Sequence, residues 1–243
     1  MPRRTSKSFP VRATRSAVDP AGAALAQMAY RHLMQQLLEG DLAPGARLSV
    51  VELAAELACS RVPVMEALKR LDAEGFVEIV PQVGCRVATP RPDEVRDFFE
   101  MFAAVEGCVT RFAAQRRTAA DLVEFRKLCA DIDRALRRAG GPDSRDPVYR
   151  RLNLDFHTAL HRYARAPLAC AVAAGLWDRS DFFIRLAFGS LYFDRRVKAA
   201  HAEIRRAVVA GDGEAAQVAV AAHLRAVGAA VAQRLAAGAQ PPR

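Results

Sequence analysis

Glycine and proline are scarce, 14 and 13 among 243 residues, too few for a fibrous or mostly disordered chain. The five cysteines, Cys59, Cys85, Cys108, Cys129 and Cys170, are odd in number, widely spaced and never arranged as C-x-x-C. That excludes a disulfide framework and a zinc ribbon. Each lies in an apolar context, so each reads as a small buried hydrophobe, and a reducing cytoplasm is the expected compartment. No apolar stretch follows the first residues, which excludes a secretory signal. The longest apolar run, 168–177 with its neighbours, is about half of a membrane span, so a soluble protein without a membrane partner is expected. There is no G-x-S-x-G and no glycine-rich phosphate loop, which removes the commonest nucleophile and nucleotide signatures.

What is present is ordinary for a soluble globular protein: 51% hydrophobic and 26% charged residues, with length for one large domain or two modest ones. Lys and Arg number 36 against 27 Asp and Glu, a formal charge of +9. This excess favours polyanionic partners without choosing between nucleic acid and anionic lipid. It is shared along the chain, except at the extreme N-terminus, where Arg3, Arg4, Lys7, Arg12 and Arg15 precede the first acid, Asp19. Residues 1–19 read as a basic disordered tail, either solvated or a DNA-touching arm.

Leu25, Met28, Ala29, Leu33 and Leu37 recur at helical spacing and stop at Gly40 and Pro44-Gly45, which predicts a first helix over 21–38. Ser49 with Glu52 has capping-box spacing for a short second helix. Ser60 can cap a third, with Pro63 in its first turn, Val64, Ala67, Leu68 and Leu71 as its buried stripe and Gly75 as its stop. Two β-prone runs, 76–80 and 85–88, flank Pro81-Gln82-Val83-Gly84 and predict a hairpin. Two helices joined by a tight turn and followed by a hairpin make a winged helix-turn-helix, whose second helix can enter a major groove.

The expected winged domain spans 20–88 and a linker 89–94, where Pro90 and Pro92 interrupt both periodicities; a helical domain fills 95–243. Helices are expected at 95–116, 118–138, 147–163, 168–188, 192–209 and 213–235, separated by Gly140-Gly141-Pro142, Ala166-Pro167, Gly189-Ser190 and Gly211-Asp212-Gly213. The fold class is therefore mainly α: an N-terminal winged helix-turn-helix (α+β) followed by an all-α antiparallel six-helix bundle.

The strings Leu42-Ala43-Pro44-Gly45-Ala46-Arg47-Leu48, Glu52-Leu53-Ala54, Ser60 through Leu71 and Glu74-Gly75-Phe76-Val77 resemble the DNA-binding domain of GntR-family bacterial transcription regulators. The helical remainder is similar to the FCD ligand-binding domain of that family's FadR-type branch. The resemblance implies a cytoplasmic homodimer whose winged domains bind a two-fold operator, and a small-molecule effector, an organic acid or related metabolite, that alters DNA affinity. The DNA-binding set it implies is Arg61, Val62, Met65, Lys69, Arg70, Arg47 and Gly84. Arg61 opens the third helix, where free N–H groups favour a phosphate; its fork can instead chelate a guanine edge. The position of Met65 is usually an arginine in the family, and Met65 offers a thymine methyl an apolar contact instead. Lys69 and Arg70 are phosphate contacts or plain surface. Arg47 adds a phosphate contact, and Gly84, at the hairpin tip, lets backbone approach the minor groove.

Asn153 and His157 are four apart and share a helix face, to which a bundle can bring His201 and His223. These residues resemble the FCD pattern in which an oxygen ligand and three histidines hold a divalent metal below the effector. Asn153 stands where many members have Asp, which removes a charge; three imidazoles still suit Zn, Ni or a similar ion. Phe102 occupies a place where the branch often carries an arginine, His161 lines the pocket or packs, and Arg185 is a possible carboxylate anchor. Two rivals remain: an architectural DNA-binding protein whose bundle only dimerises, and a zinc hydrolase. The latter lacks the glutamate of H-E-x-x-H in His157-Thr158-Ala159-Leu160-His161, and no other acid is evident beside the ligands.

Overall fold

The computed structural model describes residues 20–138, 147–189 and 195–238. The basic tail, the Gly140-Gly141-Pro142 break and the expected helix start at Tyr192 lie outside the described residues. The elements run α1 (Pro20–Glu39), β1 (Arg47–Leu48), α2 (Val50–Glu56), α3 (Arg61–Ala73), β2 (Val77–Val80), β3 (Gly84–Val87), α4 (Pro92–Arg116), α5 (Ala119–Arg138), α6 (Pro147–Ala164), α7 (Pro167–Phe188), α8 (Arg195–Ala210) and α9 (Gly213–Ala236).

The winged unit forms as its punctuation directs. Ser49 Oγ accepts the Glu52 N–H at 3.3 Å and starts α2. Ser60 sits at the N-cap of α3 without a side-chain bond, and Gly75 follows that helix at φ +73°. Helix α1 buries Ala29, Leu33 and Leu37, α3 buries Val64, Ala67, Leu68 and Leu71, and the two helices pack together. The sheet has three strands, not two, in the order β1-β3-β2 and antiparallel throughout, with Arg47 opposite Arg86 and Val77 opposite Val87.

The linker is shorter than 89–94, because α4 already begins at Pro92. Proline at the first helical position loses no hydrogen bond, and Asp93 and Glu94 complement the helix N-terminus. Helix α5 opens on a reciprocal cap: Asp121 N–H donates to Thr118 Oγ1 at 3.2 Å and Thr118 N–H donates to Asp121 Oδ2 at 2.7 Å. In the bundle α4 lies along α9, α8 packs on α9, and α6 packs on α4 and α5. Gly228 lets α9 approach α4 closely; a Cβ there would stand 2.4 Å from Phe99 Cβ. Helix α9 is long and apolar enough by composition to cross a bilayer, but here it is the bundle helix covered by α4, α7 and α8. The cysteines are free; Cys85 is buried and the other four, against expectation, are only half-buried.

The two units touch through α7. Phe182 meets Phe76 edge-on at 5.2 Å, and the Arg179 guanidinium lies over Gly75.

Candidate nucleic-acid interface and candidate metal centre

At about 100° per residue, Arg61, Val62, Met65 and Lys69 fall on one face of α3. Arg61, Val62 and Lys69 are exposed and Met65 is half-buried. Val62 is 65% exposed, an aliphatic side chain left where a thymine methyl could meet it. Between α3 and the hairpin runs a cleft lined by Arg47, Ser49, Met65, Gln82 and Gly84 among others. Arg47, Met65 and the wing are thus brought together.

Of the rest of the expected set, Gly84 shares this cleft and Arg70 lies elsewhere. Gly84 is not at the tip; it is the first residue of β3, paired with Val80, and the turn carries Gln82 at φ +61° with Val83 beside it, 63% exposed. Arg70 lies on the α1 side of α3. Its guanidinium sits 3.6 Å from the Tyr30 ring centroid, and it donates to Glu74 Oε1 at 2.9 Å and Gln27 Oε1 at 3.0 Å. Tyr30 in turn donates to Glu74 Oε2 at 2.6 Å, so Arg70 helps fasten α3 to α1.

In the bundle, His157 of α6, His201 of α8 and His223 of α9 converge, each offering a ring nitrogen within 4.8 Å of the others. All three are buried. The His157 and His201 rings are 5.5 Å apart and the His201 and His223 rings 4.8 Å apart. Burial first, then the His201, His223 and His161 imidazoles, hold His157 well below the ordinary histidine pKa. Burial first, then His223 and Arg205, do the same to His201. Both are neutral, the state in which an imidazole can ligate. Neither His157 nitrogen, nor His201 Nε2, nor the buried Asn153 Oδ1 has a hydrogen-bond partner among the described residues. Buried polar atoms without partners are costly, and a divalent ion at the triad would take up one nitrogen of His157 together with His201 Nε2.

One acid does stand beside the triad. Glu106 of α4 is fully buried, accepts from His161 Nε2 at 2.9 Å, and lies 4.0 Å from His157 Nδ1. Within α4 it reads as one charged residue of an amphipathic helix, and only packing against α6 reveals it. It is not among the residues lining the adjacent cavity.

That cavity, of about 580 Å³, is lined by Asn153, His157, His161, Trp177, Asp178 and Arg185 among others, with Leu38 contributed by α1. Trp177 covers His157 at a ring distance of 4.1 Å. His161 and Arg185 both line it. Phe102 does not: it is wholly buried and meets Trp177 edge-on at 4.9 Å, supporting the wall from behind.

Comparison with known proteins supplies the context. Residues 25–87 match the family described as "Bacterial regulatory proteins, gntR family", and residues 97–226 match the FCD domain. The chain is 34% identical over 202 residues to an HTH-type transcriptional regulator in an unstable DNA locus of Streptomyces ambofaciens, covering 82% of this chain and 81% of that one. It is 27% identical over 207 residues to the HTH-type transcriptional repressor RspR of Escherichia coli, covering 85% and 89%. Among solved structures, E. coli McbR/YncC superposes with a TM-score of 0.65 at 22% identity, over 86% of this chain and 97% of that one. A GntR regulator from Rhodococcus sp. RHA1 gives a TM-score of 0.64 at 20% identity over the same shares. These two show the common fold.

Proposed function

This chain belongs to the gntR family of bacterial regulatory proteins and is a transcriptional regulator with an FCD domain, not an enzyme, and from that premise we propose that it is a metabolite-responsive repressor. It acts in the cytoplasm as a homodimer on a two-fold operator. The DNA-binding unit comprises 20–88 and the regulatory unit begins at Pro92. Arg61, Val62, Met65 and Lys69 read the major groove, and Arg47 and the Gln82-Val83 turn flank it. The repressor sign is supported by the likeness to RspR, itself named a repressor. Leu168 and Val172, one turn apart on α7 and 86% and 59% exposed, supply apolar surface for a second copy.

A single observation carries responsiveness over the architectural alternative: α7 is a wall of the cavity and also the contact to the winged unit. Trp177, Asp178 and Arg185 face the cavity, while Arg179 and Phe182 meet Gly75 and Phe76. A ligand filling the cavity therefore shifts a helix on which the winged unit rests. His157, His201 and His223, with the Asn153 amide oxygen, would hold a divalent ion, and nitrogen donors of this kind suit Zn or Ni. When bound, the ion supplies a positive site for an anionic group of the effector. Glu106 is enclosed behind His161 and so unable to serve as a base on a bound molecule, which argues against the hydrolase reading.

The test is selection of bound duplexes from a random DNA library, followed by titration of the enriched site at several salt concentrations, with and without zinc. A short two-fold sequence with steeply salt-dependent affinity is expected. Arg61→Ala is expected to lower specific affinity by about 1–3 kcal/mol. No enriched sequence, or unchanged affinity in that variant, refutes the assignment of the reading head.

A further inference from the structure

The cavity carries polar groups along much of its wall, Arg151 and Thr158 of α6 among them, and two places bear on its ligand. At its floor lie His157 and Asn153; both His157 nitrogens and Asn153 Oδ1 are buried without a hydrogen-bond partner among the described residues. At its rim Asp178 stands on α7, and between the two come Trp177 of the same helix and Leu38 of α1. Asp181 and Arg185, one and two turns further along α7, each interact with other groups. Asp178 makes no hydrogen bond or ion pair among the described residues. Burial, then the like charge of Glu74, holds its carboxyl above the usual aspartate range. Asp178 is exposed at the cavity, and among the described residues no cation stands within ion-pair distance of it.

We infer that the effector is a small zwitterion, an amine-bearing carboxylate whose anionic end lies at the histidine floor, whose apolar spacer lies along Trp177 and Leu38, and whose ammonium pairs with Asp178. The inference rests on the reading of this cavity as the effector site and adds the chemical class of the ligand. A plain monocarboxylate that fills the cavity covers Asp178 without pairing it, and a dicarboxylate sets a second anion against it; both are penalised relative to a ligand carrying a cation there. Glu74 reinforces the choice, because it lies on the winged-unit side of Asp178 and adds a second negative charge to whatever approaches. Glu74 also receives Tyr30 and Arg70 at the end of α3, so an ammonium at Asp178 acts next to the groups that hold the reading helix to α1.

The test uses the zinc-loaded full-length chain and three matched series of four to six carbons: ω-aminoalkanoates, unsubstituted alkanoates and α,ω-dicarboxylates. Binding is read by calorimetry and by the shift in melting temperature. At least one ω-aminoalkanoate is expected to bind about tenfold or more tightly than the alkanoate of equal length, with the dicarboxylate weakest. Asp178→Asn is expected to abolish that preference, alkanoates binding as well as or better than to the parent and zinc content staying unchanged, and Asp178→Lys to turn it toward the dicarboxylates. Equal or tighter binding of alkanoates, binding by none of the three series, or an undiminished preference in Asp178→Asn overturns the inference. If the chain takes up no zinc, and His201→Ala with His223→Ala changes neither melting temperature nor ligand binding, the metal-floored effector site fails as well. If zinc is held by the triad but the ammonium confers nothing, only the ligand class fails.

Discussion

At the scale of single residues the bundle's polar interior is the unusual feature. Glu106 is enclosed in the bundle, where it accepts from His161 Nε2 at 2.9 Å and stands 4.0 Å from His157 Nδ1 without a hydrogen bond to it. A carboxylate this close to a ligating imidazole favours a bound cation, and loss of such an outer group typically weakens metal binding by about 10–100-fold. Glu106→Gln is therefore expected to lower zinc affinity by that factor, measured by competition with a chromophoric chelator, while Glu106→Asp recovers part of it. The buried neutral histidines predict an acid-sensitive metal-free fold. His157 and His201 have folded-state pKa values depressed well below 6.5, so above that pH they are neutral whether folded or unfolded and contribute no pH dependence. Below it the unfolded chain takes up protons that the folded chain refuses, and stability falls as pH decreases, by up to about 1.4 kcal/mol per pH unit for each histidine. Urea denaturation of the chelator-treated protein between about pH 5 and pH 8 checks this. A flat profile, or one unchanged by His157→Gln, contradicts it.

At the scale of elements, the contact of α4 with α9 holds the bundle together, and Gly228 permits it. An added methyl would meet Phe99 Cβ, Cγ and Cδ2 at 2.4, 2.6 and 2.9 Å, atoms fixed by the backbone and by a fully packed ring. Gly228→Ala removes a helix-weakening glycine, a gain of about 1 kcal/mol, but must push the helices apart, and overpacking of this kind costs about 1–3 kcal/mol. Net destabilisation is expected, read as a lowered melting temperature. Gly175, with open space around its Cβ position, provides the contrasting case in which alanine is harmless. The same comparison explains what the sequence disclosed. Helices with caps and periodic apolar faces were legible nearly to the residue, as with α9, expected over 213–235 and found over Gly213–Ala236, or α2, whose Ser49–Glu52 cap forms. Strand β1 was not, because two residues show no alternation; it exists only because Ala46 O and Gly45 N–H find Val87. The triad was legible through the Asn153–His157 spacing and the family resemblance. Glu106, Trp177 and Asp178 were not, since their place in the site depends on how α4, α6 and α7 pack, which no spacing within one helix records.

At the scale of the whole molecule, the question is how a ligand deep in the bundle reaches a helix that reads DNA. The cavity and the winged unit share α7, and the contact between units is small and specific: the Phe182 ring against Phe76, and the Arg179 guanidinium over Gly75, where φ is +73° and a side chain has no room. Arg179 is half-buried and its pKa is lowered by that burial, so it is held there at a desolvation cost and is poised to move when α7 shifts. Coupling between two sites requires an element whose position both of them bias, and α7 with this pair of contacts meets the requirement. Phe182→Leu keeps an apolar side chain in the core but removes the edge-on ring contact, worth about 0.5–1.5 kcal/mol beyond its buried area. The winged unit retains its own core of α1, α3 and the sheet, so operator affinity without ligand is expected to stay within a few-fold of the parent. The binding of ligand and zinc, which depends on α6, α8 and α9 and on the opposite face of α7, is likewise expected to persist. What should fall is the ratio of operator affinities with and without ligand, measured by fluorescence anisotropy on a labelled duplex. An undiminished ratio would place the coupling elsewhere, with the α1 contact through Leu38 as the remaining physical route between the cavity and the winged unit.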